Sequence, residues 1–297
     1  MALVKKIIVI LGPTASGKSA LAVEIAKKFN GEVISADSRQ IYKGMDIGTG
    51  KITKKERKNI PHHLLDVTSP KRKFSVVQYR KLALKAINKI FKKGKVPILC
   101  GGTGFYIQAV IDGISIPQVP PDWKLRKKLE KKSPKELFEM FKKIAPERAK
   151  TIDKKNPRRL IRAIEIAKKL GYVPPLQKKP LPYPVLLIGI KKEKGELKKL
   201  IKKRLLKRLR QGMVAEVKKL RKFGVSWKRL EGFGLEYRWI ARYLQKKITK
   251  EKMVEKLEKD IEHFAKRQMT WFKKDKRICW VKTQKEVENL IKDFLEK

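Results

Sequence analysis

The chain has 297 residues, with 77 Lys+Arg against 29 Asp+Glu and a net charge of +48. Its length admits one large α/β domain or a domain carrying an insert. Its two cysteines, Cys100 and Cys279, stand far apart in apolar runs and read as core thiols in a reducing cytosol, not as a disulfide or a metal pair. The three histidines have no metal-ligand spacing. The apolar run after Lys6 is too short to span a bilayer and carries no cleavage pattern, so the reading is a soluble, cytoplasmic protein. Lys-rich surfaces also occur in heat-tolerant proteins, but those mix signs. A one-sided surplus predicts a polyanionic partner.

In chain order, Lys5–Leu11 (KKIIVIL) reads as a buried parallel strand. Residues 12–19, GPTASGKS, match G-x-x-x-x-G-K-[ST], a loop whose backbone N–H groups wrap a phosphate chain. Ser19–Phe29 then has the spacing of one apolar helix face, at Leu21, Ala22, Ile25, Ala26 and Phe29. The loop therefore delivers anionic oxygens to a helix N-terminus. Gly12, Pro13, Thr14, Ala15, Ser16 and Gly17 form its wall, Lys18 neutralises outer phosphates, and Ser19 is the candidate Mg²⁺ ligand. Glu32–Ala36 reads as a second strand ending at Asp37, beside the phosphate-loop strand. Thr53–Arg57 reads as loop, Val76–Phe91 as a helix, and Lys95–Cys100 as a third strand closed by Gly101-Gly102-Thr103-Gly104. This βαβ rhythm predicts an α/β fold, a P-loop parallel sheet flanked by helices, with ligands at the strand carboxyl ends.

The rhythm stops near Ile116. Proline-punctuated helices are expected over Trp123–Lys132, Pro134–Ile144, Pro146–Ile152 and Pro157–Leu170, with Val173–Pro184 an extended linker. Residues 116–184 hold 20 Lys/Arg and 7 Asp/Glu, which predicts an inserted, basic, mostly helical subdomain between core segments 1–115 and 185–297. Val185–Ile190 reads as a strand returning to the sheet. Residues 191–229 are largely helical, with 17 Lys/Arg against 3 Asp/Glu. Thr249–Lys274 is a long helix, Arg277–Lys282 a final strand and Lys285–Glu296 a closing helix.

A phosphate loop with a base beside it suits either phosphoryl transfer or alkyl transfer with pyrophosphate leaving. Asp37 is the candidate base; the plainer role for it is a cap on a turn. A small-molecule kinase and an RNA-binding nucleotide switch are the rival readings. Further blocks narrow the choice: ADSRQIYKGMDIGTGK (36–51), PHHLLDV (61–67), GGTGFYIQAVIDG (101–113), RLIRAIEI (159–166), FGLEYR (233–238) and AKRQMTWF (265–272). In order and spacing the chain resembles the tRNA dimethylallyltransferases over nearly its whole length.

The resemblance implies transfer of a dimethylallyl group from dimethylallyl pyrophosphate to N6 of the adenosine 3′ of the anticodon, with Mg²⁺. It implies that Gly12–Ser19 hold the pyrophosphate, although such loops are usually labelled ATP sites. Thr14 resembles the pyrophosphate-contacting threonine, Arg204 the pyrophosphate clamp, and Asp37 the base that takes the N6 proton. Ser38, Arg39 and Gln40 belong to the adenine-side block. Implied tRNA contacts are Thr103, Arg126, the segment Arg158, Arg159, Leu160, Ile161 and Arg162, then Phe233, Gly234 and Arg238, and Lys266, Arg267, Gln268 and Trp271. One departure is GTGK at 48–51, where relatives usually carry GTAK; it is expected to matter little. His62 and His63 are expected to be structural. Asp46 and Asp66 remain unassigned carboxylates able to support Mg²⁺ through water. A monomer is the default, since one chain holds every motif.

Overall fold

The computed structural model describes residues 5–114, 117–175 and 177–296. The boundary expected between residues 115 and 116, and Leu176 of the expected linker, lie outside the described residues. In chain order, β1 (Ile7–Leu11) leads through a loop to α1 (Lys18–Lys28), β2 (Gly31–Ser35), β3 (His62–His63), α2 (Val76–Lys92), β4 (Val96–Gly101) and α3 (Gly104–Ile111). Next come α4 (Trp123–Leu129), α5 (Pro134–Ile144), α6 (Pro146–Ala149) and α7 (Pro157–Leu170). The chain continues through β5 (Val185–Ile190), α8 (Lys194–Arg210), α9 (Met213–Lys222), α10 (Trp227–Phe233), α11 (Leu235–Leu244), α12 (Lys250–Phe272), β6 (Cys279–Val281) and α13 (Gln284–Glu296). The described residues fall into two compact units, one ending at Gly113 and resuming at Pro180, the other Ile114–Lys179.

The first unit is built on a parallel sheet in the order β3-β2-β4-β1-β5-β6. Every residue of β1 is buried, because helices cover both faces. Ile7, Val9 and Leu11 face Tyr79, Ala83 and Ile87 of α2 and Ile107 of α3. Ile8 and Ile10 face Ala22 and Ile25 of α1 and Val287 and Ile291 of α13. The alternation is the period-2 geometry of a strand. Helices α8, α9, α11 and α12 close a further core around Leu205, Val217, Tyr237 and Leu257. In the second unit, Phe141 and Leu137 of α5 pack on Leu160 and Ile164 of α7. There α5 starts at a capping box, with Ser133 and Glu136 each capping the other's backbone. Among the described residues no helix is long and apolar enough to cross a membrane.

Two expectations change. Asp37 does not follow the strand beside the phosphate-loop strand: β2 pairs with β4, and β4 pairs with β1. The later strand slots between them, so Asp37 lies two strands away along the same carboxyl edge. Cys100 is buried but Cys279 is exposed. Cys279 opens the short edge strand β6.

The crowding of strand ends at this edge fixes one glycine. A Cβ on Gly101 would lie 2.2 Å from the Ala36 carbonyl oxygen. That oxygen accepts the Thr103 N–H at 3.1 Å, while the Ala36 N–H donates to the Cys100 carbonyl at 2.8 Å. Gly101→Ala is expected to cost about 1–3 kcal/mol of stability through overpacking against backbone that cannot swing away, read as a lower urea midpoint with an unchanged m-value.

Candidate functional site

The loop after β1 is shaped by φ angles that few side chains adopt. Gly12 has φ +150°, Ala15 +63° and Gly17 +87°. Gly17 caps α1 in the left-handed conformation, so the chain reverses and aims the first N–H groups of α1 at the space above the sheet. That space is a cleft of about 800 Å³ lined by the loop, Asp37, the 46–53 segment, Arg204, Arg208 and Gln268, among others. Pro13 is buried within the loop. Ser16 is 4 % exposed, and its hydroxyl is buried without a hydrogen-bond partner.

Lys18 reaches back across the loop, donating to the Pro13 carbonyl at 2.6 Å. Burial, with the like charge of Arg204 acting in the same sense, lowers its ammonium to about 8; Asp37 opposes the shift. Ser19 is exposed in the first turn of α1 and belongs to the cleft wall. Arg204, from the middle of α8, donates from Nη1 to Thr14 Oγ1 at 3.4 Å. Its guanidinium is lowered to about 10 by burial and then by the like charge of Arg208. Gln268 of α12 fixes the loop from the other side. Its Oε1 accepts the Thr14 N–H at 2.8 Å and its Nε2 donates to the Gly102 carbonyl at 2.8 Å.

Asp37 caps the turn that follows it and keeps one oxygen free. Oδ1 accepts the Arg39 N–H at 2.8 Å and the Gln40 N–H at 3.4 Å. Its Oδ2 makes no such bond among the described residues, and Asp37 lines the cleft. The Ser38 N–H donates to Thr103 Oγ1 at 3.0 Å, tying the two strand ends together. Arg39 Nε donates to the Phe233 carbonyl at 3.0 Å. Gln40 Nε2 donates to the carbonyls of Thr49 at 3.4 Å and Gly50 at 3.3 Å.

Several other residues have partners that the sequence does not reveal. In the second unit, Glu165 is 2 % exposed. Arg126 grips it with two bonds, Nε to Oε1 at 2.8 Å and Nη2 to Oε2 at 2.7 Å. Arg162 binds the same carboxylate and the Val119 carbonyl. Burial opposes its ionisation, but the hydrogen bonds from Arg126 and Arg162 hold Glu165 below the usual carboxylate value. Arg126 and Arg162 therefore hold the unit together and do not stand free on a phosphate-binding face. Leu160 and Ile161 are buried in that unit's core, leaving Arg158 and Arg159 exposed. In the first unit, Gln268 and Phe233 are buried by the contacts described. Gly234 caps α10 at φ +75°, and Arg238 pairs loosely with Glu231 at 3.7 Å. Lys266 and Arg267 are exposed. Trp271 packs edge-on to Phe105 at 6.5 Å and against Gly104, where a Cβ would lie 2.3 Å from it.

Asp46 and Asp66 both bind the buried Lys51 ammonium, each through Oδ1 at 2.6 Å. His63 pairs with the buried Glu32 at 2.7 Å and His62 with the Ile60 carbonyl at 2.9 Å, joining the sheet as β3. The sequence reading missed Glu216. Its carboxylate accepts the N–H groups of Asp46, Ile47 and Gly48 at 2.8, 2.6 and 3.1 Å, and the Tyr237 hydroxyl at 2.9 Å. No local pattern could reveal it, because its backbone partners lie 168–170 residues upstream and Tyr237 lies 21 residues downstream. The glycine of GTGK lies under two arginine tips. Gly50 has φ +59°, and a Cβ there would lie 1.5 Å from Arg208 Nη2 and 2.1 Å from Arg204 Nη2.

A family described as IPP transferase matches residues 40–275 of this chain. The chain belongs to that family. A tRNA dimethylallyltransferase of Acetivibrio thermocellus is 43% identical over 284 residues, covering 93% of this chain and 91% of the relative. A tRNA dimethylallyltransferase 2 of Citrifermentans bemidjiense is 44% identical over 271 residues, covering 91% and 87%. The crystal structure of a tRNA isopentenylpyrophosphate transferase from Bacillus halodurans superposes with a TM-score of 0.75 at 35% identity, covering 98% of this chain and 97% of that one. A eukaryotic dimethylallyltransferase captured acting on tRNA has a TM-score of 0.75 at 27% identity, covering 90% and 69%. The chain is thus a prenyltransferase-family enzyme.

The lowered Lys18 value gives the site a pH dependence. Below about 8 the side chain is an ammonium; above it the amine is neutral and attraction for an anion weakens. Pyrophosphate affinity of the free protein should therefore fall as pH rises through this value. An affinity that stays flat from pH 7 to pH 10 would show that Lys18 does not carry the charge.

Proposed function

We propose that this chain transfers the dimethylallyl group of dimethylallyl pyrophosphate to the N6 amine of the adenosine 3′ of a tRNA anticodon, releasing pyrophosphate. One observation carries the reading: a phosphate loop, the cations Lys18 and Arg204, and the carboxylate of Asp37 line one cleft in a member of this family. The allylic C–O bond breaks, and its electron pair leaves with the pyrophosphate oxygen. The N6 lone pair forms the new C–N bond, and the N6 proton passes to Asp37. Charge builds on the leaving oxygens, where Lys18, Arg204 and the N–H groups at the start of α1 stabilise it. Thr14, held by Gln268 through its backbone and by Arg204 through its hydroxyl, is placed to donate to the same oxygens.

The residues present fit Mg²⁺. Ser19 offers an exposed hydroxyl at the cleft, and Mg²⁺ is ordinarily held by one or two protein oxygens together with substrate phosphates and water. When bound there the ion would neutralise charge on the leaving group.

The acceptor base must leave its stack to reach Asp37. Ser38, Gln40 and Thr103 border the carboxyl edge where it would enter. Lys266, Arg267, Arg158 and Arg159 are exposed cations suited to backbone phosphates, whereas Gln268, Arg126 and Arg162 serve by fixing the frame. Arg39, Phe233, Gly234, Arg238 and Trp271 complete the tRNA-facing set of this reading. The enzyme works in the cytoplasm as a monomer.

The decisive assay is transfer of label from dimethylallyl pyrophosphate to unmodified tRNA with Mg²⁺ and without ATP. Label at the adenosine beside the anticodon is expected; folded, tRNA-bound protein that transfers none would discard the reaction. Asp37→Ala should keep tRNA affinity and lose about 10²–10⁴-fold in rate, as removal of a general base does. A near-wild-type rate would remove the base assignment. Binding of tRNA should also weaken steeply with salt, by about a hundredfold or more between 50 and 200 mM. Salt-independent binding would contradict the basic-surface reading.

A further inference from the structure

Arg208 is a buried cation that its protein neighbours satisfy only in part. The residue is 8 % exposed. Nη1 donates to the Gly48 carbonyl at 3.3 Å and to Glu236 Oε1 at 3.3 Å, both long contacts. Nη2 is buried and has no hydrogen-bond partner among the described residues. Arg208 lines the same cleft as the phosphate loop. Its tip stands beside that of Arg204, since a single point above Gly50 lies 1.5 Å from Arg208 Nη2 and 2.1 Å from Arg204 Nη2. Two like charges pressed together out of water are unfavourable, and burial lowers the Arg208 guanidinium below its ordinary value. Glu236 answers part of this charge from 3.3 Å, while burial pushes its own carboxyl up against the opposing pull of Arg208.

We propose that Arg208 is a second pyrophosphate-binding guanidinium, directing Nη2 beside Arg204 at the leaving group, and that Gly50 is the residue that admits both tips. This rests on the transfer reaction proposed above. A pyrophosphate leaving group presents several anionic oxygens spread over two phosphorus centres. Lys18 and the start of α1 serve one end, and the paired arginines suit the other, where planar donor forks match phosphate oxygens. Binding would satisfy the orphaned Nη2 and screen the repulsion between the two arginines. Gly50 leaves room for this placement of the two tips, since a Cβ there would meet both, and its φ of +59° disfavours a side chain.

The test is calorimetric titration of inorganic pyrophosphate, with Mg²⁺, into the wild-type chain and Arg208→Gln. Loss of a charge-assisted bond to phosphate should weaken binding by about tenfold or more. KM for dimethylallyl pyrophosphate should rise with it, while KM for tRNA stays unchanged. Should Arg208→Gln fail to fold with Glu236 stranded, the double variant Arg208→Gln/Glu236→Gln removes both charges and carries the same measurement. Gly50→Ala should weaken pyrophosphate binding too, because it displaces both tips. Wild-type protein that binds pyrophosphate, with a folded Arg208 variant that binds it within twofold, overturns this proposal and leaves the transfer reaction standing. Wild-type protein that does not bind pyrophosphate at all overturns both.

Discussion

Positive charge only partly answered by nearby carboxylates, gathered at the carboxyl edge of a parallel sheet, is the constraint on which this structure turns. Lys18, Arg204 and Arg208 converge there with Asp37 and Glu236 as nearby carboxylates. Such an arrangement costs folding free energy while it is empty. It persists only because the surrounding frame is over-determined. Gln268 clamps the phosphate loop to the β4 turn with two bonds. Glu216 takes three successive N–H groups of the 46–48 turn. Lys51 draws Asp46, Asp66 and the Tyr42 carbonyl onto one ammonium, the last at 2.8 Å. The first two devices join segments distant in sequence, and the third ties neighbouring turns of the cleft wall together.

Close approach of backbone is the second requirement. Gly101 lets β4 pass Ala36, Gly102 leaves room for the Gln268 amide, and Gly50 lets two guanidiniums meet over a turn. In each case the glycine is chosen for the missing Cβ, and at Gly50 for the left-handed φ as well. The same edge carries Asp37, whose Oδ1 caps the 38–40 turn and so fixes the carboxylate at the cleft wall.

The sheet class was legible from short apolar runs and helical periods, since both sides of the sheet are covered and burial is written into Ile7–Leu11 and Val185–Ile190. Pairing order was not legible. Nothing local states that β4 enters between β2 and β1, so Asp37 was placed one strand too close. The two-residue β3 is too short to leave a period. Cys279 sits among apolar neighbours but opens an edge strand, where burial depends on what covers it and not on the run itself. Within the site, the phosphate loop announces itself because its eight residues are contiguous. Arg208, Glu216 and the clamp role of Gln268 do not, because their partners lie far away in the chain.

The basic surplus divides in the same way. Counted along the sequence, each arginine of a basic helix has an equal claim on a phosphate. Glu165 removes that equality by binding Arg126 and Arg162 from a nearly dry position. A buried carboxylate left alone would be costly, and two arginines satisfy both of its oxygens. The exposed Arg158 and Arg159 on α7, and Lys266 and Arg267 on α12, have no such obligation. A surface built this way can lose many individual lysines with little effect on the fold, while the few partnered arginines are structural. Net charge therefore speaks for the polyanion as a class, and burial with partner geometry decides which cations are free to meet it.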